Sequence, residues 1–298
     1  MQYKIPGSSS LSVSEISFGC MSLGNDHQQN ARLLHSAFDQ GINYFDTADL
    51  YQNGFNEETV GRAFKEIGKD VIIATKVGNQ MRSDGSGWDW NPTKAYILQA
   101  VEKSLKRLQR DHIDLYQLHG GTIDDPIDET IEAFELLKHQ GKIRYYGISS
   151  IRPNVIREYV KRSKMVSVMM QYSLLDRRPE EECLELLQQN NIGMLARGSL
   201  AGGLLINKSA DTYLNHSTNE VTNARIAVES LTSSNRTSSD IAIRYALSHP
   251  AITSAVVGIR TSGQLQEAIH ASTAGPLSMQ EQKSLHASVK AFQYAQHR

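Results

Sequence analysis

The chain has 298 residues, with 31 lysines and arginines against 32 aspartates and glutamates, for a formal net charge of -1. So even a balance gives no long-range field toward nucleic acid or an anionic membrane, and the expected partner is a small neutral molecule. The N-terminal MQYKIPGSSSLSVSE has no basic segment leading into an apolar one, runs such as VIIA and SAVVGI are too short to cross a bilayer, and Cys20 and Cys183 show neither CxxC spacing nor a histidine cluster, so that a reducing, cytoplasmic compartment without membrane insertion, disulfide framework or zinc site is expected.

In chain order, short aliphatic runs alternate with longer amphipathic stretches, the pattern of a parallel α/β sheet. The first segment, MQYKIPGSSSLSVS, reads as a hairpin around PGSSS that closes one end of the fold. Strand-like EISFG (15–19) is followed by helical spacing at Leu33, Leu34, Ala37 and Phe38, and INYF (42–45) by Val60, Ala63, Phe64 and Ile67. After VIIAT (71–75) comes NQMRSDGSGWDWNP, longer than the usual connection of about 4 to 6 residues. Helical spacing resumes at Ile97, Val101, Leu105 and Leu108, then IDLYQL (113–118) and Ile131, Phe134, Leu137 follow. The remaining strand-like runs are IRYYGI (143–148), VSVMM (166–170), IGMLA (192–196) and ITSAVV (252–257), with a second long connection over roughly 197 to 237 and a final helix beyond 276.

Turn signals at 40–41, 140–141, 190–191 and 249–250 mark the returns from helix to strand. Eight strand–helix units in one domain over residues 1–298 fit a closed (β/α)8 TIM barrel better than an open doubly wound sheet with a small cap. Both long connections follow strand C-termini, the face on which barrels build their sites.

The strand ends are chemically unusual. The second run ends at Asp46, the third at Lys76 and the fourth at His119, with Tyr51 five residues beyond Asp46. A phenol with an ordinary pKa of about 10 is a poor proton donor at neutral pH, and a nearby ammonium lowers that value. Lys76 is a candidate for that ammonium, Asp46 for the carboxylate that keeps it charged, and His119 for a hydrogen-bond donor to an oxygen on which negative charge develops. Singly, each residue has an ordinary structural role: turn, solvated strand end, satisfied core histidine, packing tyrosine. Four complementary groups at one rim describe proton donation to a carbonyl that receives a hydride. His112, at the start of its strand, belongs at the opposite end. No GxGxxG follows a strand and no GxxxxGK[ST] occurs, so a nicotinamide cofactor needs another kind of cradle.

GINYFDTADLYQNGFNEETVGRAF, VIIATKVG and HIDLYQLHG, in this order, resemble the signature segments of the aldo-keto reductase superfamily, and the resemblance covers nearly the whole chain. It implies a (β/α)8 barrel that binds NADPH in an extended pose without a Rossmann domain, with Tyr51 as general acid, Lys76 and Asp46 tuning it, and His119 orienting the carbonyl. It further implies cofactor contacts from Gly19, Met21 and Asp46, from Ser149, Ser150 and Gln171 around the carboxamide, and from Gly198, Leu200 and Gly203 in ARGSLAGGLL around the pyrophosphate. VVGIRTSGQLQEA (256–268) resembles the adenosine-phosphate segment, placing Arg260, Thr261, Gln264 and Glu267 there. Ser150 stands in place of the usual asparagine, Ser199 where proline is common, and Ala268 in place of a frequent asparagine.

The expected activity is NADPH-dependent reduction of a small carbonyl compound, an aldehyde rather than a ketone because aldehydes are more electrophilic. Two other readings remain. In the first the barrel holds cofactor and serves as a partner protein, like the family's channel-associated β subunits. In the second Lys76 is the Schiff-base nucleophile of an aldolase-like barrel, for which Tyr51, His119 and the adenosine-phosphate segment are superfluous. Met81, Trp88 and Trp90 either line an apolar pocket or pin their loop.

Overall fold

The computed structural model describes the backbone of residues 1–298 and every side chain except that of Lys69. In chain order the elements are β1 (Tyr3–Lys4), β2 (Val13–Ser14), β3 (Ile16–Gly19), α1 (His27–Asp39), β4 (Tyr44–Asp46), α2 (Phe55–Phe64), β5 (Ile72–Val77), β6 (Asn79–Met81), β7 (Trp88–Trp90), α3 (Lys94–Leu108), β8 (Ile113–Leu118), α4 (Ile127–His139), β9 (Ile143–Ser149), α5 (Pro153–Arg162), β10 (Ser167–Gln171), α6 (Cys183–Gln189), β11 (Gly193–Arg197), α7 (Thr218–Glu229), α8 (Ser238–Ala246), β12 (Ile252–Gly258), α9 (Ser262–Thr273) and α10 (Met279–Ser288). Eight strands pair in parallel in the order β3-β4-β5-β8-β9-β10-β11-β12, and β12 pairs back onto β3 to close a (β/α)8 barrel. All eight expected strand runs are its staves. Among the described residues no helix is long and apolar enough to cross a membrane, and no cluster of potential metal ligands occurs.

Side chains of a strand alternate between its two faces, so each stave sends every second residue into the lumen. The inner set includes Tyr44, Ile72, Ala74, Leu115, Met169, Leu195 and Val256. The outer set, with Phe45, Ile73, Tyr116, Val168, Met194 and Val257, packs beneath the helices. Leu11 and Val13, from the β1–β2 hairpin, are buried with the inner set, so the hairpin plugs the lower end of the barrel as expected.

The helices start where polar side chains can satisfy free amides. Asp26 accepts from the amides of Gln28 and Gln29 at α1, and Thr93 from that of Tyr96 at α3. Leu33, Leu34 and Ala37, then Ile97, Val101 and Leu108, turn inward from these helices. The α2–α3 contact is close because Gly61 has no side chain: a Cβ there would lie 2.4 Å from the Arg107 carbonyl oxygen and 2.6 Å from the Leu108 carbonyl carbon.

Three segments differ from expectation. The connection after β11 is not a plain loop but contains α7, started by a reciprocal Ser217–Glu220 capping box and burying only Val221, Ala224 and Val228. NQMRSDGSGWDWNP folds into the antiparallel ribbon β6–β7. The final helix stops at Ser288, and the last ten residues form an extended strap in which Tyr294 is buried, the backbone of His297 accepts from the amide of Asn154, and Arg298 contacts Glu181.

Because the atoms facing Gly61 are backbone and cannot swing aside, Gly61→Ala is expected to destabilise the fold by about 1–3 kcal/mol. Urea unfolding monitored by circular dichroism measures this, and an unchanged midpoint would show that α2 shifts at no cost.

Candidate active site

The lumen-facing parity that places Tyr44, Ala74 and Leu115 in the interior continues upward to Asp46, Lys76, Gln117 and His119. The acid, amine and imidazole therefore meet because they sit at the same faces of β4, β5 and β8, which are neighbours in the barrel. Tyr51 arrives from the short loop after β4. Gln52 and Asn53, immediately following, both hold left-handed backbone (φ 50 and 55), and Gln52 donates to the Leu23 carbonyl and to Asn25, which anchors this turn against the loop after β3. Left-handed non-glycine residues are uncommon, and two in succession mark a turn fixed by its surroundings.

Lys76 is fully buried and its three ammonium hydrogens have three acceptors: Asp46 Oδ1, the Thr47 carbonyl at 2.7 Å and Tyr51 Oη at 3.4 Å. Gln117 Nε2 donates to the other Asp46 oxygen at 3.3 Å. Burial alone would depress Lys76, but Asp46 and Tyr51 raise its pKa above the ordinary value, so it stays an ammonium. Burial pushes Asp46 up and Lys76 opposes it, with a net rise. The expected lowering of Tyr51 is not the net outcome: burial raises the phenol and outweighs the ammonium, so Tyr51 is protonated at neutral pH. His119 meets the Tyr51 ring edge-on at 5.9 Å between centroids. Burial, then Lys76 and Arg197, push its pKa down to about 3, leaving a neutral imidazole whose Nδ1 has no hydrogen-bond partner among the described residues.

These groups open into a cavity of about 1060 Å³ at the C-terminal end of the barrel, above the range of about 300–1,000 Å³ usual for one ligand. It is also lined by Gly19, Met21, Ser149, Ser150, Gly198, Leu200, Gly203, Arg260, Gln264 and Glu267. Gly198, Gly202 and Gly203 have φ of 75, 66 and 94 and no side chain, so a ligand can approach the backbone of this segment closely. The residues present thus fit an extended, multiply charged cofactor.

Gln171 and Thr261 do not line the cavity. The Gln171 side chain lies between Tyr213 Oη, to which it donates at 3.0 Å, and Arg197 Nη1, from which it accepts at 2.9 Å. The Thr261 hydroxyl accepts from the Gln264 amide and caps α9, while Gln264 Oε1 accepts from the Arg260 amide. Glu267 accepts from Ser239 at 3.0 Å. The tryptophans stand outside as well: Trp90 donates to Asp125 and covers Gly78 and Gly120, and Trp88 is exposed, so they pin their ribbon rather than line the cavity. His112 lies at the lower end beside Asp114, as expected. Asp49, the second acid after β4, turns away from the cavity; burial and the neighbouring Glu57 raise its pKa to about 8. Glu57 is itself buried against Arg107 and Thr75.

Arg152, Arg197 and Lys208 line the cavity without having been singled out in the sequence. Arg197 is the residue directly after IGMLA and shares lumen parity with Leu195, so extending the strand by one position would have found it.

The aldo/keto reductase family model matches residues 15–290, and the chain belongs to this family, whose chemistry is the oxidoreduction of carbonyl compounds with a nicotinamide cofactor. The chain is 50% identical over 301 residues to the uncharacterised oxidoreductase YqkF of Bacillus subtilis, covering 98% of each. It resembles the holo form of aldo-keto reductase AKR11C1 from Bacillus halodurans with a TM-score of 0.94 and 49% identity, over 100% of this chain and 99% of that one. It is also 34% identical over 213 residues to the aldo-keto reductase yakc [NADP(+)] of Schizosaccharomyces pombe, covering 67% of this chain and 63% of that one.

Between about pH 3 and the ordinary histidine value near 6.5, the unfolded chain binds a proton at His119 that the folded chain does not. This group therefore makes stability rise with pH across that window. Unfolding free energy from urea titrations should fall by up to about 2 kcal/mol more between pH 7 and pH 5 in the parent than in His119→Asn. Equal losses in the two proteins would show that His119 protonates freely in the fold.

Proposed function

We propose that the protein reduces a small carbonyl compound, an aldehyde, with NADPH, and that Tyr51 is the proton donor. The observation that carries this reading is the Tyr51 phenol held 3.4 Å from a buried ammonium whose other two hydrogens are already taken. A nicotinamide held in this cavity would supply the hydride to the carbonyl carbon. The chain supplies the proton: the Tyr51 O–H bond breaks, the proton passes to the carbonyl oxygen, and the phenolate left behind is stabilised by Lys76. Asp46 fixes Lys76 in place, so the ammonium is present before charge develops and needs no rearrangement during the step. Neutral His119 can donate one hydrogen bond to the same oxygen, which orients the carbonyl toward Tyr51. A phenol that keeps its proton at neutral pH is in the state that reduction requires.

For the cofactor, Ser149 and Ser150 line the cavity and would grip the carboxamide together with Gln171, which retains an amide hydrogen and an oxygen lone pair beyond its bonds to Tyr213 and Arg197. The segment around Gly198, Leu200 and Gly203 would follow the pyrophosphate, and Arg260, Gln264 and Glu267 the adenosine end. Two observations favour NADPH over NADH. The Schizosaccharomyces pombe relative is named for NADP(+). The Arg260 guanidinium at the cavity rim has no carboxylate partner among the described residues and can grip a 2′-phosphate through parallel hydrogen bonds.

Tyr51→Phe keeps the ring and removes the proton. Carbonyl reduction, followed by NADPH absorbance, should fall by about two to four orders of magnitude while NADPH binding stays nearly intact. Reduction of a good aldehyde at close to the parent rate would remove Tyr51 from the mechanism as proton donor, whereas a parent that binds NADPH and reduces no aldehyde would make a cofactor-holding partner protein the better reading.

Arg260→Ala should weaken NADPH binding by about tenfold or more and leave NADH nearly unchanged, with the effect shrinking as salt rises. Fluorescence titration with both cofactors measures it. Equal losses would make Arg260 structural, and tighter NADH binding by the parent would overturn the cofactor assignment.

A further inference from the structure

The strap that follows α10 has no regular structure, yet it is tied down along its length. Arg177 donates to the Val289 carbonyl at 3.5 Å, the Tyr294 amide donates to Glu181 at 3.3 Å, and the guanidinium of Arg178, itself paired with Asp176, lies 4.8 Å from the centre of the Tyr294 ring. Further on, the Asn154 amide donates to the His297 carbonyl at 2.8 Å. Asn154 belongs to the first turn of α5, and Arg177, Arg178 and Glu181 follow β10, so the strap crosses the segments that leave the C-terminal ends of β9 and β10. Chain ends are poorly ordered unless tied down, and these contacts fix this one.

Within the strap, the Phe292 ring packs on the His216 imidazole with 4.6 Å between centroids. His216 is buried, and its Nε2 meets the Leu175 carbonyl at 3.1 Å. It closes a tight turn: the amide of each of Tyr213 and His216 donates to the carbonyl of the other, and Leu214 between them is left-handed with φ 53. Tyr213 in turn reaches the top of the barrel, where its Oη accepts from Gln171 Nε2 at 3.0 Å and Gln171 Oε1 accepts from Arg197 at 2.9 Å. A line of direct contacts and one short turn thus runs from Phe292 through His216 and Tyr213 to Gln171 and Arg197. Residues between Arg197 and Lys208 form one wall of the cavity and belong to the same connection as the turn. Little else holds its outer part, because Asp211 and Thr212 are exposed and α7 beyond buries only Val221, Ala224 and Val228.

We propose that the strap belongs to the cofactor-binding machinery: Phe292, acting through His216 and Tyr213, is a positioning residue for Gln171 and Arg197 and sets how fast a nicotinamide cofactor leaves. This rests on the reading of the cavity as a nicotinamide site, and not on carbonyl reduction. With the Phe292 ring in place, the imidazole is shielded and keeps its bond to the Leu175 carbonyl. Without the ring, water competes for that bond, the turn loosens, and Tyr213 no longer holds the Gln171 amide in one orientation. Part of the cofactor's binding free energy then goes into ordering Gln171 and Arg197. An aromatic contact of this kind corresponds to about a two- to tenfold change in an equilibrium.

The test is the rate of NADPH release from the full chain, followed by stopped-flow fluorescence with no aldehyde present, together with equilibrium titration. Phe292→Ala should release NADPH about two- to tenfold faster than the parent and raise its Kd to match, while Phe292→Tyr, which keeps the ring, should stay near the parent. Should the alanine variant fail to fold, Phe292→Leu takes its place. Tyr213→Phe removes the hydroxyl that holds Gln171 and should speed release to a similar extent. Because both side chains act along one line of contacts, the double variant should lose little more than either single variant. In turnover, KM for NADPH should rise and KM for the aldehyde stay unchanged. Unchanged release on loss of the Phe292 ring, release from Phe292→Tyr as fast as from Phe292→Ala, or effects that multiply in the double variant would overturn the proposal and leave the reductase reading standing. A parent that binds NADPH but reduces no aldehyde loses the reductase reading, and the release rates still decide the role of the strap. A parent that binds neither NADPH nor NADH overturns both.

Discussion

The ammonium of Lys76, sealed inside the barrel and bonded to Asp46, is the constraint on which the rest of the site depends. A charge taken out of water is tolerated only when its partner and its remaining donors are satisfied, and here the carboxylate, the Thr47 carbonyl and the Tyr51 phenol supply all three acceptors. Removing one partner of such a pair typically costs about 3–5 kcal/mol, whereas two apolar side chains in its place would often fold as well. Stability alone thus gives no reason to keep the pair. Its geometry does: with two hydrogens spent on fixed acceptors, the third is aimed at the phenol oxygen, and the turn through Gln52 and Asn53 holds that phenol where it can be reached.

Electrostatics inside the cavity differ from those of the whole molecule. Summed over the chain, charge nearly cancels. Inside, Lys76 is neutralised by Asp46, but Arg152, Arg197 and Arg260 are not matched by carboxylates among the described residues. Burial then sorts the neutral groups: it keeps His119 unprotonated and Tyr51 protonated, so the imidazole can donate without carrying charge and the phenol has a proton to give. The charges of Lys76 and Arg197 both act on Tyr51 and His119, favouring the phenolate form of the one and the neutral form of the other.

Much of this was legible in the sequence because it follows from strand geometry. The eight apolar runs are the eight staves, and the residue that ends each run falls at the rim. The two-residue period then selects Asp46, Lys76 and His119 for the interior, and it equally selects Gln117 and Arg197, which a reading confined to run ends passes over. What the sequence hid depends on sums over many elements. The direction of the Tyr51 shift is one case: the ammonium beside it was visible, but the burial that outweighs it exists only in the folded chain. Helix α7 is another, because only Val221, Ala224 and Val228 turn inward and a mostly polar stretch leaves little periodic signal. Thr261 and Gln171 were assigned to a ligand by position, and what position could not show is that the Thr261 hydroxyl also caps a helix and the Gln171 amide also bridges Tyr213 and Arg197.

The seam of the barrel has a consequence for how the chain comes into being. β3 ends at Gly19 and its outer edge is covered only by β12, which starts at Ile252, with Ile16 opposite Ala255 and Gly19 opposite Gly258. During synthesis the first stave must therefore wait for roughly 230 further residues before the backbone groups on that edge find their partners. Until then it presents an open, apolar edge of the kind that recruits other strands. Pairing of such distant segments is slow, since a long loop must close before any contact rewards it. The aggregation hazard of the nascent protein is thus concentrated in the interval before β12 emerges, however stable the finished barrel is.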